Sequence, residues 1–348
     1  MIPIFFVHLN LFGYNTYFDK CVEITCHHNQ DRDVFVITAT EEVQEHLEGL
    51  LIQNLTVLFV AKDIVESISQ PIDAIMYHDE INPRHFELTC FVRHHVLKHL
   101  IDTHDFGYHI ASYIVVDSDS AIFTNVGDIF PEPTQTNQVQ TFFPICTNFG
   151  HWSKSALDQF CSSSKENYFH YAKERKSRTS DMFYLGWSIQ NRLIEYFQIP
   201  PAEETGIVCM DTFRQFMLHN ALFTDVEEQK YLAPEMRDEI LKHPAGLWRD
   251  PEFLRHFIDP DFCKALYGTE KINDGTVQLN LKSAYVLSCQ TTSQKRWRNF
   301  SPFYSARHTL NASVSAANLR LGMLHFQGAA KEIVKPYYKF WKSLQNNI

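Results

Sequence analysis

Short apolar runs alternate with longer amphipathic stretches along the first half of the chain. Ile2 to Val7 is unbroken by polar residues and gives way to a loop, Asn10 to Asn15, that holds Gly13. A run this short and this apolar predicts a strand buried on both faces. A helical stretch around Tyr17 to His27 follows, then a strand at Val34 to Thr38, a helix at Glu41 to Leu51 and a strand at Thr56 to Val60. This alternation predicts an α/β fold with a mostly parallel sheet flanked by helices. Pro83 opens a further helix that reaches about Ile101, proline being accepted in a first turn. Phe86, Cys90, Arg93, Leu97 and Leu100 recur on it at helical spacing and mark its inward stripe. Arg93 is then either a snorkelling side chain at the edge of the core or a guanidinium directed at a carboxylate or phosphate.

Beyond the middle of the chain the signals are sparser. Pro131 to Gln138 is rich in Pro, Thr, Gln and Asn and reads as a hinge, dividing one domain into halves of about 1–135 and 136–348. A strand is expected at Thr141 to Cys146, then Asn148-Phe149-Gly150, then a helix from about Ser153. A polar, basic stretch from Lys165 to Arg178 intervenes before Thr179-Ser180-Asp181, a good helix start. Met182, Leu185, Ile189, Leu193 and Tyr196 form the apolar stripe behind it, and Gly206 to Met210 fits another strand. Residues of about 225–270 are charged, helical and carry several prolines, which suggests an added helical segment. Thr276 to Cys289 is strand-like, and Lys295-Arg296-Trp297-Arg298 reads as a solvated basic loop.

Composition narrows the class. With 45% hydrophobic and 21% charged residues, the 348-residue chain is globular in type. A net charge of −10 argues against a broad nucleic-acid surface but not against one anionic ligand held beside a metal. The eight cysteines form no Cys-x-x-Cys, so free thiols in a reducing, cytoplasmic setting are expected. Cys21, Cys26, His27 and His28 lack a second ligand pair at zinc-finger spacing. His95 and His99 lie a turn apart without the glutamate of a zinc protease, leaving a histidine-rich helix face. The N-terminal run has no basic lead-in or cleavage site, and no stretch approaches the ~20 apolar residues of a membrane span.

The chemistry concentrates in two places. Tyr113 to Val116 is an apolar, β-branched run that ends abruptly in Asp117-Ser118-Asp119. In extended backbone, residues i and i+2 point the same way, so both carboxylates can reach one point. Two like charges so aimed repel unless a cation lies between them or one takes a proton. Hard divalent ions such as Mg²⁺ and Mn²⁺ favour such oxygen ligands, and open α/β sheets bind ligands at the carboxyl ends of their strands. Far down the chain, Leu321 to Lys331 carries His325, Gly328 and Lys331 at three-residue intervals. A neutral imidazole can complete a metal site, a glycine lets backbone approach a ligand, and a lysine offers a point charge to phosphate.

Strand-Asp-x-Asp followed late by His-x-x-Gly-x-x-Lys resembles the glycosyltransferases of the GT-A fold, particularly the retaining, glycogenin-like group. The first strand, the helix with Arg93 and Asn148-Phe149-Gly150 fall in that family's order. The resemblance implies a Rossmann-like GT-A domain, with 1–135 as its nucleotide-sugar half and the segment near 225–270 on the acceptor side. It implies a nucleotide-diphosphate sugar, usually a UDP-sugar, together with Mn²⁺ or Mg²⁺. Asp119 and His325 would bind the metal, with Asp117 shared between metal and ribose. Lys331 would hold the diphosphate near Gly328, Arg93 would contact the donor, and Asn148 and Gly150 would lie near the sugar. Asp181 sits where related enzymes often place an acidic residue, although a helix-start aspartate is equally expected from the macrodipole. The family's ending directly after the lysine is absent here; Lys335-Pro336-Tyr337 comes later.

Two other classes compete. A nucleotidyltransferase also uses strand-end carboxylates and metal, but the loop from Leu9 to Tyr17 has one glycine and no arginine for a triphosphate. A non-catalytic nucleotide-sugar-binding relative would keep the fold without transfer. The acceptor could be a glycan, a lipid-linked saccharide or a protein. In the tail, about 332–348, Lys335, Lys339 and Lys342 interleave with Tyr337, Tyr338, Phe340 and Trp341. That pattern suits either a peripheral contact with an anionic membrane or a final helix packed on the domain.

Overall fold

The computed structural model describes residues 2–9, 17–80, 82–130, 134–141, 146–177, 179–199, 207–211, 269–271, 277–279, 319–325, 334, 335, 338, 339 and 342. In chain order the elements are β1 (Ile4–His8), α1 (Phe18–His28), β2 (Val34–Thr38), α2 (Glu41–Glu48), β3 (Leu55–Phe59), α3 (Lys62–Ile75) and α4 (Arg84–Thr103). There follow β4 (Ser112–Val116), β5 (Ser120–Ile122), α5 (Val126–Ile129), β6 (Gln138–Thr141), β7 (Phe149–Ser153), α6 (Lys154–Ser162), α7 (Lys165–Arg175) and α8 (Asp181–Gln190). The last are β8 (Glu195–Gln198), β9 (Ile207–Asp211), β10 (Thr269–Lys271), β11 (Val277–Leu279) and β12 (Leu319–His325). They fall into two compact units: Met1–Asn15 with Asn29–Ser118 and Phe130–Ile199, and Thr16–His28 with Asp119–Ile129 and Pro200–Ile348.

The first unit is an α/β layer structure around a seven-stranded sheet in the order β3-β2-β1-β4-β7-β6-β8. β3, β2, β1 and β4 run parallel, as the strand–helix alternation predicts. β7 enters antiparallel between β4 and β6, and β8 joins parallel to β6. Phe5 and Val7, Phe35 and Ile37, Tyr113 and Val115 share one sheet face by the two-residue period of a strand, and all belong to one core cluster. Helix residues Phe91, Leu97, Phe160, Phe169 and Tyr184 complete that core. A ring of alternating charges, Lys98, Asp102, Lys154 and Asp158, ties α4 to α6 at its partly exposed rim.

Several expectations shift. Phe86 is 52% exposed, whereas Glu87 is buried along with Phe91, Arg93, His94 and Leu97, so the inward stripe of α4 is rotated from the apolar pattern. Buried polar residues at those positions hide the true stripe from a hydrophobicity count. β7 occupies Phe149–Ser153, where Gly, His and Trp give no apolar run to read. The basic stretch after Lys165 is the helix α7, which buries Tyr168, Phe169 and Ala172 under a charged outer face. α8 starts where Ser180 predicts, its hydroxyl capping the Phe183 N–H, but it ends at Gln190, and Tyr196 lies in β8. α3, strongly amphipathic with Pro71 inside it, was not singled out by pattern. The expected strand at 141–146 is met only by Thr141, the end of β6, since 142–145 lie outside the described residues. The helical segment near 225–270 and the basic loop at 295–298 also lie largely or wholly outside them.

The second unit holds the order β10-β11-β12-β5, with β9 parallel to β12. α1 packs on β5, where the Ile122 N–H donates to the buried Thr25 hydroxyl at 3.1 Å. Cys21 and Cys26 are buried core thiols there, and burial with the charge of Glu23 pushes Cys26 up to about 12. The Tyr338 hydroxyl donates to Glu23 at 2.5 Å, and Lys342 pairs with the same carboxylate. These tail residues therefore engage α1. Among the described residues no helix is long and apolar enough to cross a membrane.

A Cβ on Gly150 would lie 2.6 Å from Thr141 Cγ2 and 3.0 Å from the Gln140 carbonyl, so the close approach of β6 to β7 requires glycine. Gly150→Ala is expected to destabilise the protein by about 1–3 kcal/mol in urea denaturation. Adding Thr141→Ala should recover part of that loss.

Candidate active site

In the first unit the site grows from the carboxyl end of β4. Val116 pairs with Phe149 in the antiparallel β4–β7 ladder, and the next N–H, that of Asp117, donates to the Asn148 carbonyl at 2.7 Å. This fixes where the Asp117 carboxylate emerges. Its Oδ1 accepts from Arg93 Nη1 at 2.7 Å. Arg93 Nη2 donates to Asp181 Oδ2 at 2.8 Å and, more distantly, to the Thr147 hydroxyl at 3.3 Å. Thr147 in turn donates to Asp181 Oδ2 at 2.8 Å. His94 Nε2 lies 3.4 Å from the same oxygen. One guanidinium from α4 thus joins a strand-end carboxylate to a helix-start carboxylate.

Burial makes this arrangement strong. Burial alone would raise the Asp181 carboxyl, but the charge of Arg93 and the contacts with His94 and Thr147 overcome it and hold Asp181 well below the usual carboxylate range. Burial opposes the charge on Arg93 too, and Asp117 and Asp181 outweigh it, so the guanidinium stays ionised. Burial keeps His94 neutral, pulling it down from its ordinary value. Two carboxylates then share one guanidinium. Side-chain exposure is 25% at Asp117 against 4% at Asp181, so Asp117 is the more open end of the network.

In the second unit, β5 pairs antiparallel with β12 in the register Ser120↔His325, Ala121↔Leu324 and Ile122↔Met323. His325 is the last residue of β12, and Asp119 immediately precedes β5. Their side chains meet, Nε2 to Oδ1 at 3.1 Å, with both residues buried. A buried carboxylate beside an imidazole offers an oxygen and a nitrogen donor, the mixed set that Mn²⁺ and related divalent ions accept. One residue, Ser118, separates Asp117 from Asp119 in the chain, so their Cα atoms cannot be more than about 7.6 Å apart.

The structure brings Arg93, Asp117 and Asp181 into one hydrogen-bonded chain and sets Asp119 on His325. Asn148 is buried beside Asp117, its side-chain oxygen accepting from the Cys146 thiol at 2.6 Å. Gly150 sits opposite Val115 within β7, with a packing role. Gly328 and Lys331 lie outside the described residues. Sequence reasoning missed Thr147 and the contact of His94 with Asp181. The only signals were their positions next to Asn148 and Arg93.

No family model and no curated protein matches the chain. Among solved structures it is similar to mouse xyloside xylosyltransferase 1 in its apo form, at 8% identity and a TM-score of 0.43, over 60% of this chain and 88% of that one. It is similar to the galactosyltransferase LgtC in complex with donor and acceptor sugar analogues, at 12% identity and a TM-score of 0.41, over 62% of this chain and 78% of that one. A third, the PaToxG glycosyltransferase, matches at 13% identity and a TM-score of 0.36, over 54% of this chain and 69% of that one.

Asp181→Asn removes the charge that balances buried Arg93 and is expected to cost about 3–5 kcal/mol at pH 7. Because its carboxyl is held down in the folded state, the stabilisation is fully present above the ordinary aspartate value of about 4 and is lost as pH falls below it. Urea midpoints of wild type and variant should therefore converge in acid.

Proposed function

We propose that this protein is a metal-dependent glycosyltransferase of the GT-A type. It moves a sugar from a nucleotide-diphosphate donor, a UDP-sugar, to a saccharide, lipid-linked or protein acceptor, with retention at the anomeric carbon. The observation that carries the reading is the buried contact of Asp119 with His325, made where β5 begins beside the end of β12. Asp117, one residue away along the chain and partly exposed, is assigned as a third donor. Two oxygens and one imidazole nitrogen fit Mn²⁺ or Mg²⁺ and leave positions for phosphate oxygens.

Cleaving the anomeric C–O bond builds negative charge on the departing diphosphate and positive charge on the sugar. A divalent cation held by Asp119 and His325 would supply preorganised stabilisation of the diphosphate. The chain's own residues supply the rest. Lys331 is assigned to the diphosphate, with Gly328 allowing close backbone approach. Arg93 holds Asp117 and Asp181 in fixed orientations, so neither carboxylate must reorganise as charge develops. Asp181 is assigned to the sugar's hydroxyls or developing positive charge, and Asn148 to the position of Asp117 beside the donor.

Isothermal titration of UDP with and without Mn²⁺ tests the reading. Wild type should bind UDP in a metal-dependent way, and Asp119→Ala should lose at least tenfold in affinity while keeping its far-UV circular dichroism. Equal, metal-independent binding in both proteins would overturn the metal assignment.

A further inference from the structure

Glu87 is a buried acidic residue of the first unit that the proposed reaction does not use. It lies in the first turn of α4 and is 3% exposed. Its Oε1 accepts from Asn82 Nδ2 at 2.5 Å, while its Oε2 is buried without a hydrogen-bond partner. The Asn82 backbone carbonyl contacts His78 Nε2 at 2.6 Å, so Asn82 links His78 through its main chain to Glu87 through its side chain. From the same turn, Asp79 Oδ2 accepts from the Thr179 N–H at 3.2 Å, two residues before Asp181. Glu80, between these anchors, holds a left-handed φ of 64°, a conformation that needs surrounding contacts to persist.

We propose that Glu87 is a positioning residue that clamps the 78–82 turn and, through the turn, the Asp181 end of α8. The inference gives the proposed sugar site a second carboxyl behind Asp181, and its catalytic meaning rests on that reading. Charge accounting explains how the clamp works. The local cation, Arg93, is already shared by Asp117 and Asp181. The groups that act on Glu87 are Asp181 of α8, Asp79 and His78 of the turn, and Asn82; Cys90 on α4 and Tyr168 on α7 share its field. None of them forms an ion pair with its carboxylate. Burial first, and then the charges of Asp181 and Asp79, push the carboxyl up to about 7, against the opposing hydrogen bond from Asn82 and the effect of His78. Protonated, the carboxyl accepts from Asn82 and presents no charge to Asp181. Ionised, it repels both aspartates and loosens the turn.

The sign follows from linkage. A carboxyl raised in the folded state makes the folded protein bind more protons than the unfolded chain between about pH 4.3 and its raised value, so stability falls as pH rises through that window and levels off above it. Glu87→Gln mimics the neutral form and removes this slope. Thermal melts from pH 5 to 8 should show wild type losing stability relative to Glu87→Gln as pH rises. Hydrogen exchange at fixed pH 8 should show the amides of 179–184 slower in Glu87→Gln than in wild type, and faster in Glu87→Ala. Melting differences that stay flat with pH, or exchange at 179–184 indifferent to both variants, would overturn the inference. These measurements need no ligand, so absence of UDP binding would count against the glycosyltransferase reading alone. If UDP does bind, its affinity should drop severalfold between pH 6 and 8 in wild type but not in Glu87→Gln, and identical profiles would overturn the link to the site.

Discussion

Arg93 is the constraint on which the first unit's site depends. A guanidinium is planar and stays ionised in protein, and its fork can satisfy two acceptors in fixed directions at once. Here the two acceptors come from elements far apart in sequence, the end of β4 and the start of α8. Removing water from three charges is costly, and the cost is offset only because each carboxylate has additional donors: Thr147 on Asp181, and the Ser118 N–H on Asp117. The sheet supplies the rigidity. β7 runs antiparallel against β4, and its approach places Asn148 where its carbonyl holds the Asp117 amide. Positioning, rather than unusual chemistry of any one side chain, is what this network provides.

The parallel core was legible because it obeys a local rule. β1 and β2 are buried throughout and β4 in all but Ser112, and each holds an unbroken run of four apolar residues. The helix start at Ser180-Asp181 was legible for an equally local reason, the side-chain cap. β7 was not, because Phe-Gly-His-Trp-Ser carries no run and no alternation; its burial follows from neighbours on both sides. α7 was not, because its outer face is densely charged and only three residues go inward.

The site divides the same way. Asp117 and Asp119 are visible because a strand that ends in two carboxylates breaks the apolar pattern sharply. The role of Arg93 could be narrowed to two options by helical spacing, and only the tertiary contact selects between them. The rotated stripe of α4 is the instructive failure. Hydrophobicity counting assumes that inward means apolar, and it fails where a helix buries Glu87, Arg93 and His94 together. Such a face is readable only through what packs against it.

The contact between Asp119 and His325 joins positions far apart along the chain. Closing so long a loop is slow and entropically demanding, so such contacts form after the local helices and hairpins are in place. During synthesis the histidine emerges long after the strand that it faces. The pair therefore exists only once β12 has docked on β5, which makes it a late contact set by distance along the chain.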